Sequence, residues 1–295
     1  MTVKWLYCEG KTDPPVLNTA FAALGVSNIV VESTGTSPAK VAAWKREQGV
    51  VAASVADRDY RPIEECNATY KPSGKKFYWR RHSIENYLLE PSVIARSFEL
   101  FKASMAELEH CPDWVERLPS DVGDIETDMK AAAATIANQE CGCIVHHQLW
   151  ARLGDEIGHL QLALPEIFKS PDMQSDEECS RTLVESAEEL RSAAEQWSKA
   201  SNLSDANVRS MYETKCSQIN SGDYQDGNRF LKEFHGKRLR RSFLLHLQAT
   251  YGTNMSSASL QEELIKGLSS LLEDAPDSSV ANDFRELSEI VDQLA

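Results

Sequence analysis

Hydrophobic and polar positions change rhythm near residue 90. Before it, short apolar runs at 3–8, 28–32 and 50–56 read as buried strands, the second rich in β-branched side chains. Helix signals lie between them. Asp13-Pro14-Pro15 predicts a helix start, with Asp13 as N-cap and proline in the first turn. Leu17, Phe21 and Leu24 repeat at helical spacing, and Gly25 stops the helix. Ser37-Pro38 opens a second helix that runs to Gln48, and Gly49 ends it. A polar loop at 61–75, with Pro62, Pro72 and Gly74, precedes a further strand at 76–79. The order β-α-β-α-β demands parallel strands joined by right-handed crossovers.

Past residue 90 the pattern turns helical. Helices are expected at 91–109, 124–138, 144–152, 176–200, 204–218, 227–234, 237–250, 258–272 and 279–294. In 182–200, Leu183, Ala187, Leu190 and Ala194 make an apolar stripe on a charged helix. Loops rich in Ser, Asp and Pro at 170–177 and 274–279 separate helices. There is no internal repeat and no low-complexity tract. The expected division is an α/β core at 1–90, a helical region at 91–233, and C-terminal helices at 234–295 that pack back on the core.

Composition narrows the class. Of 295 residues, 42% are hydrophobic, enough for a sizeable core and against wholesale disorder. No apolar run reaches the roughly 18 residues of a membrane span, and the first residues are too short an apolar stretch for a signal peptide. A cytoplasmic protein is expected. The seven cysteines are odd in number, and Cys8, Cys66, Cys111, Cys179 and Cys216 stand singly, which argues against a disulfide framework. The net charge of −14 argues against binding nucleic acid over the whole surface. Its distribution is uneven: residues 1–90 carry a net +2 and the remainder −16. The acidic back segment serves solubility or contacts a partner.

In parallel α/β sheets, binding groups collect at the carboxyl ends of the strands. Strand one is followed by Glu9-Gly10, strand three by Asp57-Arg58-Asp59, and the fourth by Arg80-Arg81-His82-Ser83-Ile84-Glu85. Three acidic clusters would meet on one rim and repel unless neutralised. A hard divalent cation with oxygen ligands does that, and magnesium brings substrate phosphate with it, so phosphodiester chemistry is expected. Taken singly, each acid has a plainer use. Glu9 can be a strand-end acid, Asp13 a helix cap, Asp57 and Asp59 loop starters, and Glu85 the partner of an arginine.

Cations and aromatics gather beside this rim. Arg80, Arg81 and His82 with Tyr78 and Trp79 can contact phosphates and bases or form salt bridges with their neighbours. Lys71, Lys75 and Lys76 precede them, and residues 235–241 form a second basic island, either a docking site or a solvated helix face. Cys141-Gly-Cys143 with His146-His147 lacks standard zinc spacing and reads as buried thiols and ordinary histidines. Gly35-Thr36-Ser37 reads as a turn plus cap more simply than as an anion site. No serine- or cysteine-based triad stands out.

Val-Lys-Trp-Leu-Tyr-Cys-Glu-Gly-Lys-Thr-Asp at the start, with the later Val-Ala-Asp-Arg-Asp-Tyr, resembles the TOPRIM domain found in topoisomerases, primases and OLD-family nucleases. The Glu-Gly-x-x-Asp form and His-Ser-Ile-Glu-Asn-Tyr-Leu resemble the OLD-like branch, especially the stand-alone TOPRIM effector subunits of anti-phage systems of the PARIS kind. The likeness covers roughly residues 3–90, with an echo at Phe234-His235-Gly236-Lys237. It implies an α/β fold, a TOPRIM-type parallel sheet flanked by helices with a mainly α-helical second region. It implies that Glu9 is metal ligand or general base, that Asp57 and Asp59 hold Mg²⁺ or Mn²⁺, and that Asp13 and Glu85 complete a site for one or two ions. Lys237 would neutralise phosphate, making Glu9, Asp57, Asp59 and Lys237 the catalytic set. Lys11, Arg58, Arg80, Arg81, His82 and Arg238 would contact nucleic acid, whether DNA, tRNA or other RNA. The chain has no topoisomerase-like tyrosine domain and no Walker A motif, so an ATPase would be a separate subunit. The acidic body also permits a homodimer. A nuclease acting as a toxic defence effector is therefore expected; the alternative is a non-catalytic TOPRIM-fold module that docks an ATPase or nucleic acid.

Overall fold

The structure is a computed structural model, and it describes residues 3–35, 37–61, 76–157, 175–195 and 204–293. These residues fall into two compact units. The first comprises Met1–Met129, Leu231–Gly236 and Leu244–Ala295; the second comprises Lys130–Phe230 and Lys237–Phe243. The expected boundary at residue 90 thus lies inside the first unit. The expected loop at 61–75, with Lys71 and Lys75, falls outside the described residues from 62 on, as does Cys66.

The first unit opens with β1 (Lys4–Cys8), α1 (Asp13–Ala23), β2 (Ile29–Ser33), α2 (Pro38–Glu47), β3 (Ala52–Ala56) and β4 (Lys76–Tyr78). The strands form one parallel sheet in the order β2-β1-β3-β4. Lys4 lies opposite Ile29, Trp5 opposite Ala52, and Ser54 opposite Lys76. With all strands parallel, every carboxyl end reaches the same edge. β3 is buried along its whole length. Its small side chains admit α2, whose Arg46 Nη1 donates to Ala52 O at 2.9 Å.

After β4 the chain forms α3 (Glu85–Leu88), α4 (Pro91–Ala106), α5 (Asp113–Arg117) and α6 (Val122–Ile157). Trp79, fully buried just past β4, is an aromatic hub. It meets Phe77 at 5.4 Å, Tyr87 at 5.3 Å and Phe284 at 5.6 Å between ring centroids, all edge to face. Phe284 belongs to α13 (Ser279–Gln293), which follows α12 (Ser257–Asp274). These C-terminal helices pack back on the core, α12 against α1 and α4, and α13 against α1 and β1. Lys4 Nζ fixes the end of α13 through Asp292 at 2.8 Å. Gly267 of α12 lets the backbones meet closely: a Cβ there would fall 1.9 Å from Ser97 Oγ and 2.6 Å from Val93 O.

The second unit holds α7 (Asp176–Glu195), α8 (Asp205–Ile219) and α9 (Gly222–Asp226), with residues 130–157 of α6. It also takes 237–243 of α11 (Gly236–Tyr251), while the short α10 (Phe230–Glu233) begins at its boundary. Ser204 caps α8 by accepting from Asn207 N at 3.3 Å. Arg238 and Glu140, both buried, pair at 2.7 Å. Leu183 and Ala187 are buried as the stripe predicts, and the side chains of Leu190 and Ala194 lie outside the described set.

Two helix expectations need correction. The pair 124–138 and 144–152 is one continuous helix, α6. In the gap between them, Cys141, Gly142 and Cys143 are buried, and that packing outweighs the roughly 1 kcal/mol cost of a mid-helix glycine. Of the helix expected at 227–234, only Phe230–Glu233 (α10) is helical; Gly227 and Asn228, the latter left-handed (φ 48°), keep it apart from α9, a short helix at 222–226 that the pattern did not show.

Candidate active site

β1 ends at Cys8, whose buried thiol donates to Glu32 O at 3.4 Å. Glu9 follows and is exposed at the sheet edge. Gly10 then turns the chain into α1, and its N–H donates to Asp13 Oδ2 at 3.0 Å. A Cβ at position 10 would lie 2.5 Å from Asp13 Oδ1, so glycine is what this close approach admits. Asp13 is thus not the N-cap expected from the sequence. Thr12 occupies that position without a side-chain capping bond, and the buried Asp13 carboxylate folds back on Gly10. Thr12 Oγ1 donates to Glu85 Oε1 at 3.1 Å and lies 3.5 Å from Asp13 Oδ1. One hydroxyl thereby links two acids that are 72 positions apart in the chain.

The Asp57-Arg58-Asp59 turn leaves β3 on the same edge. Asp59 is left-handed (φ 54°), a conformation aspartate tolerates better than most residues. Its N–H donates to His82 O at 3.1 Å, stitching this turn to the one after β4. Arg58 is buried and turns inward, donating to Arg61 O at 2.6 Å and to Lys232 O.

Asp57 is the centre of the arrangement. Its Oδ1 is buried and has no hydrogen-bond partner among the described residues. Burial pushes its carboxyl up to about 9, and the charges of Glu85, Asp13, Asp59 and Glu9 add to the rise in that order. Asp59 is pushed up to about 6: burial of its carboxyl raises it, Arg61 and Arg58 pull it back, and Glu9 adds to the rise. The four other acids named from the sequence therefore all act on Asp57. Glu85 is buried beneath the rim.

Magnesium suits this donor set, which is all carboxylate oxygen around a buried oxygen that lacks a partner. Among the described residues no three His, Cys, Asp or Glu side chains form a finished ligand group. The fit rests instead on one or two carboxylates with water completing the shell, which is the usual way this ion is held.

The basic residues behave differently from expectation. Lys11 is exposed beside the rim. Arg80 reaches Asp283 at 3.0 Å and Glu286 at 2.5 Å. Arg81 is buried, pairs with Glu90 at 2.6 Å, donates to Asn86 O at 3.1 Å and covers the Tyr87 ring at 4.7 Å. His82 is buried between Tyr60, at 4.6 Å, and His235, at 5.0 Å. Arg238 is buried in the second unit with Glu140, and Lys237 is exposed in that unit. Arg58, Arg81, His82 and Arg238, expected to contact nucleic acid, are buried among internal partners. Glu85 accepts from Thr12, and Arg81 pairs with Glu90.

Three residues escaped the sequence reading. Thr12 bridges the acids. Asn86 closes the turn into α3 by accepting from Ser83 N at 3.0 Å, and its Nδ2 donates to Phe234 O at 2.9 Å. Gly236 lies against that turn: a Cβ there would meet Ser83 Oγ at 2.6 Å, Asn86 Oδ1 at 2.8 Å and Glu85 Cβ at 2.9 Å. Thr12 and Asn86 stand inside the motifs already quoted, and the Gly-Lys echo at 236–237 was the available signal for the third. In the second unit, burial and then His147 lower His146 to about 4, so its ring is neutral at physiological pH. Cys141 and Cys143 are fully buried.

Comparison with protein-family models gives no match, and comparison with curated proteins gives none either. Among the described residues no helix is long and apolar enough to cross a membrane.

Proposed function

We propose that this protein is a Mg²⁺-dependent nuclease of the TOPRIM type that cleaves phosphodiester bonds in DNA or RNA, tRNA included. The observation that carries the reading is the bare, buried Oδ1 of Asp57 amid four other carboxylates at the carboxyl edge of a parallel sheet. Four like charges around one buried oxygen are costly unless a cation joins them. The bound ion would supply charge neutralisation for the carboxylates and the phosphate and would acidify a water.

The chain's own residues take the other parts. Asp57 and Asp59 hold the cation from the β3 turn. Thr12 keeps Glu85 and Asp13 oriented, and Gly10 fixes the Asp13 carboxylate. Glu9, the exposed acid that follows β1, accepts the proton of the attacking water. Lys11, also exposed, meets substrate phosphate. By its resemblance to stand-alone TOPRIM effectors, the protein acts as a toxic subunit of anti-phage defence, triggered by a separate ATPase.

The test is cleavage of plasmid and of tRNA by purified protein with Mg²⁺ or Mn²⁺, beside Glu9→Ala. Cleavage by wild type alone supports the reading. Equal cutting by both marks a contaminant, and substrate binding without cutting by either marks a non-catalytic docking module. Expression of both forms in cells, followed by inspection of DNA and tRNA, identifies the substrate.

A further inference from the structure

Three tryptophans of the first unit are spent on packing. Trp79 is fully buried, Trp5 stacks on Tyr7 at 6.2 Å, and Trp114 stacks on Phe101 at 5.9 Å between ring centroids. Trp44 is used otherwise: it is 54% exposed and meets no other aromatic ring among the described residues. Its place follows from α2. Ala42 is buried with Tyr7 and Ala52, and Val41 packs against them, which fixes the inner side of the helix. The exposed positions are Lys40, Trp44 and Glu47, four and three residues apart, so they share one outer face. Lys45 holds its Nζ over the Trp44 ring, 5.2 Å from the centroid. Lys40 and Lys45 have no acidic partner among the described residues, whereas Lys4, Arg80 and Arg81 of the same unit each pair with an acid.

This face starts beside Glu9. At the carboxyl end of β2, Thr34 N donates to Cys8 O at 2.9 Å and Ser33 Oγ donates to Glu9 O at 3.3 Å. α2 begins four residues after Thr34, at Pro38. Lys40 therefore lies in its first turn, nearest the rim, and Trp44 lies about 9 Å along the axis from Pro38. Glu47, the one acid on the face, is at the far end of the helix.

We propose that Trp44, Lys40 and Lys45 bind an unpaired nucleotide of a nucleic-acid strand, with an unstacked base on the exposed indole and the flanking phosphates on the two ammonium groups. The ligand class rests on the nuclease reading above, and the inference narrows it to single-stranded segments, a loop or an end. A base inside a duplex has its faces covered by its neighbours; an unpaired one offers a π face that any aromatic side chain can stack on, whatever the sequence. A helix face built to dock a protein would instead carry several apolar anchors at i, i+3 and i+4. Here Lys40 and Glu47 flank the indole.

The experiment measures binding of short fluorescent oligonucleotides to the full-length protein in chelator, so that no cleavage intervenes, with single-stranded DNA, single-stranded RNA and duplex DNA as separate arms. The wild type should hold a single strand more tightly than the duplex, and the first two arms tell which backbone it takes. Trp44→Ala should weaken single-strand binding about fivefold to a hundredfold, and Trp44→Phe, which keeps a ring, should restore most of it. Lys40→Gln should lower the slope of log affinity against log salt by about 0.7, the share of one phosphate. Equal single-strand binding by wild type and Trp44→Ala overturns the proposal. So does tighter binding of the duplex, or a Trp44→Ala variant that loses self-association in sedimentation while holding oligonucleotides as before. Cleavage assayed separately with Mg²⁺ keeps the two readings apart. A nuclease indifferent to Trp44→Ala loses this site and keeps its activity; strand binding through Trp44 without cutting keeps this site and refutes the nuclease.

Discussion

Each unit buries charge, and the two do so in opposite ways. In the second unit, Arg238 and Glu140 sit with side chains 5% and 0% exposed, 2.7 Å apart. Each charge has its counter-charge, and the pair joins α6 to α11. In the first unit, the Asp57 carboxyl is surrounded by Glu85, Asp13, Asp59 and Glu9, with one oxygen bare. A fold selected for stability alone would not keep this second arrangement, because like charges in a low-dielectric pocket oppose folding. Opposite charges paired inside hold the scaffold; the like charges around the buried Asp57 oxygen are what the proposed cation would neutralise.

The comparison predicts substitutions of opposite sign. Largest is the loss of catalysis: Asp57→Asn or Glu9→Ala should lower cleavage by about a hundredfold to a thousandfold or more, read as initial rates on the substrate identified by the cell experiment. Next is the scaffold pair. Glu140→Ala removes the buried counter-charge of Arg238 and should cost about 3–5 kcal/mol, read by denaturant unfolding, while leaving the other unit's metal response intact.

Asp57→Asn should instead stabilise the metal-free protein. The Asp57 pKa is raised from 3.8 to about 9 in the folded state. The stability its neutral form contributes is therefore fully present below about pH 4 and is lost as pH rises toward 9. Wild type should melt lower at pH 8 than at pH 5, and the variant should melt about 3 °C or more above wild type at pH 8. Added Mg²⁺ should raise the wild-type melting temperature and leave the variant's almost unchanged. Gly236→Ala comes next. Its Cβ would press on Ser83, Glu85 and Asn86, at a cost of about 1–3 kcal/mol in stability with a loss of activity from the displaced Glu85. Smallest is Arg80→Ala, which breaks a half-exposed pair with Asp283 and Glu286 and should cost under about 1 kcal/mol. A larger loss in nucleic-acid affinity from Arg80→Ala would restore that residue to substrate contact.

The sheet was legible because its strands and first two helices are local, each bounded by glycine or proline. Glu9, Asp57 and Asp59 were legible because parallel topology sends strand ends to one edge. What stayed hidden depended on distant partners. Nothing local to Asp13 says that its carboxylate bonds Gly10 N rather than capping α1. Nothing local to Arg58 or Arg81 says that Lys232 O and Glu90 will take up their guanidiniums. The continuity of α6 stayed hidden because Gly142 is buried, and burial there overrides propensity. The return of residues 231–236 to the first unit has no periodic signature.

The central claim is that the Asp57 carboxylates hold a divalent cation, and calorimetric titration of Mg²⁺ and Mn²⁺ into metal-free protein at pH 7 tests it most directly. The account predicts saturable binding in wild type, with proton release that grows as pH falls below about 9 because Asp57 must ionise to bind, and loss of that binding in Asp57→Asn. Equal binding by both proteins, or none in wild type at millimolar metal, would contradict it.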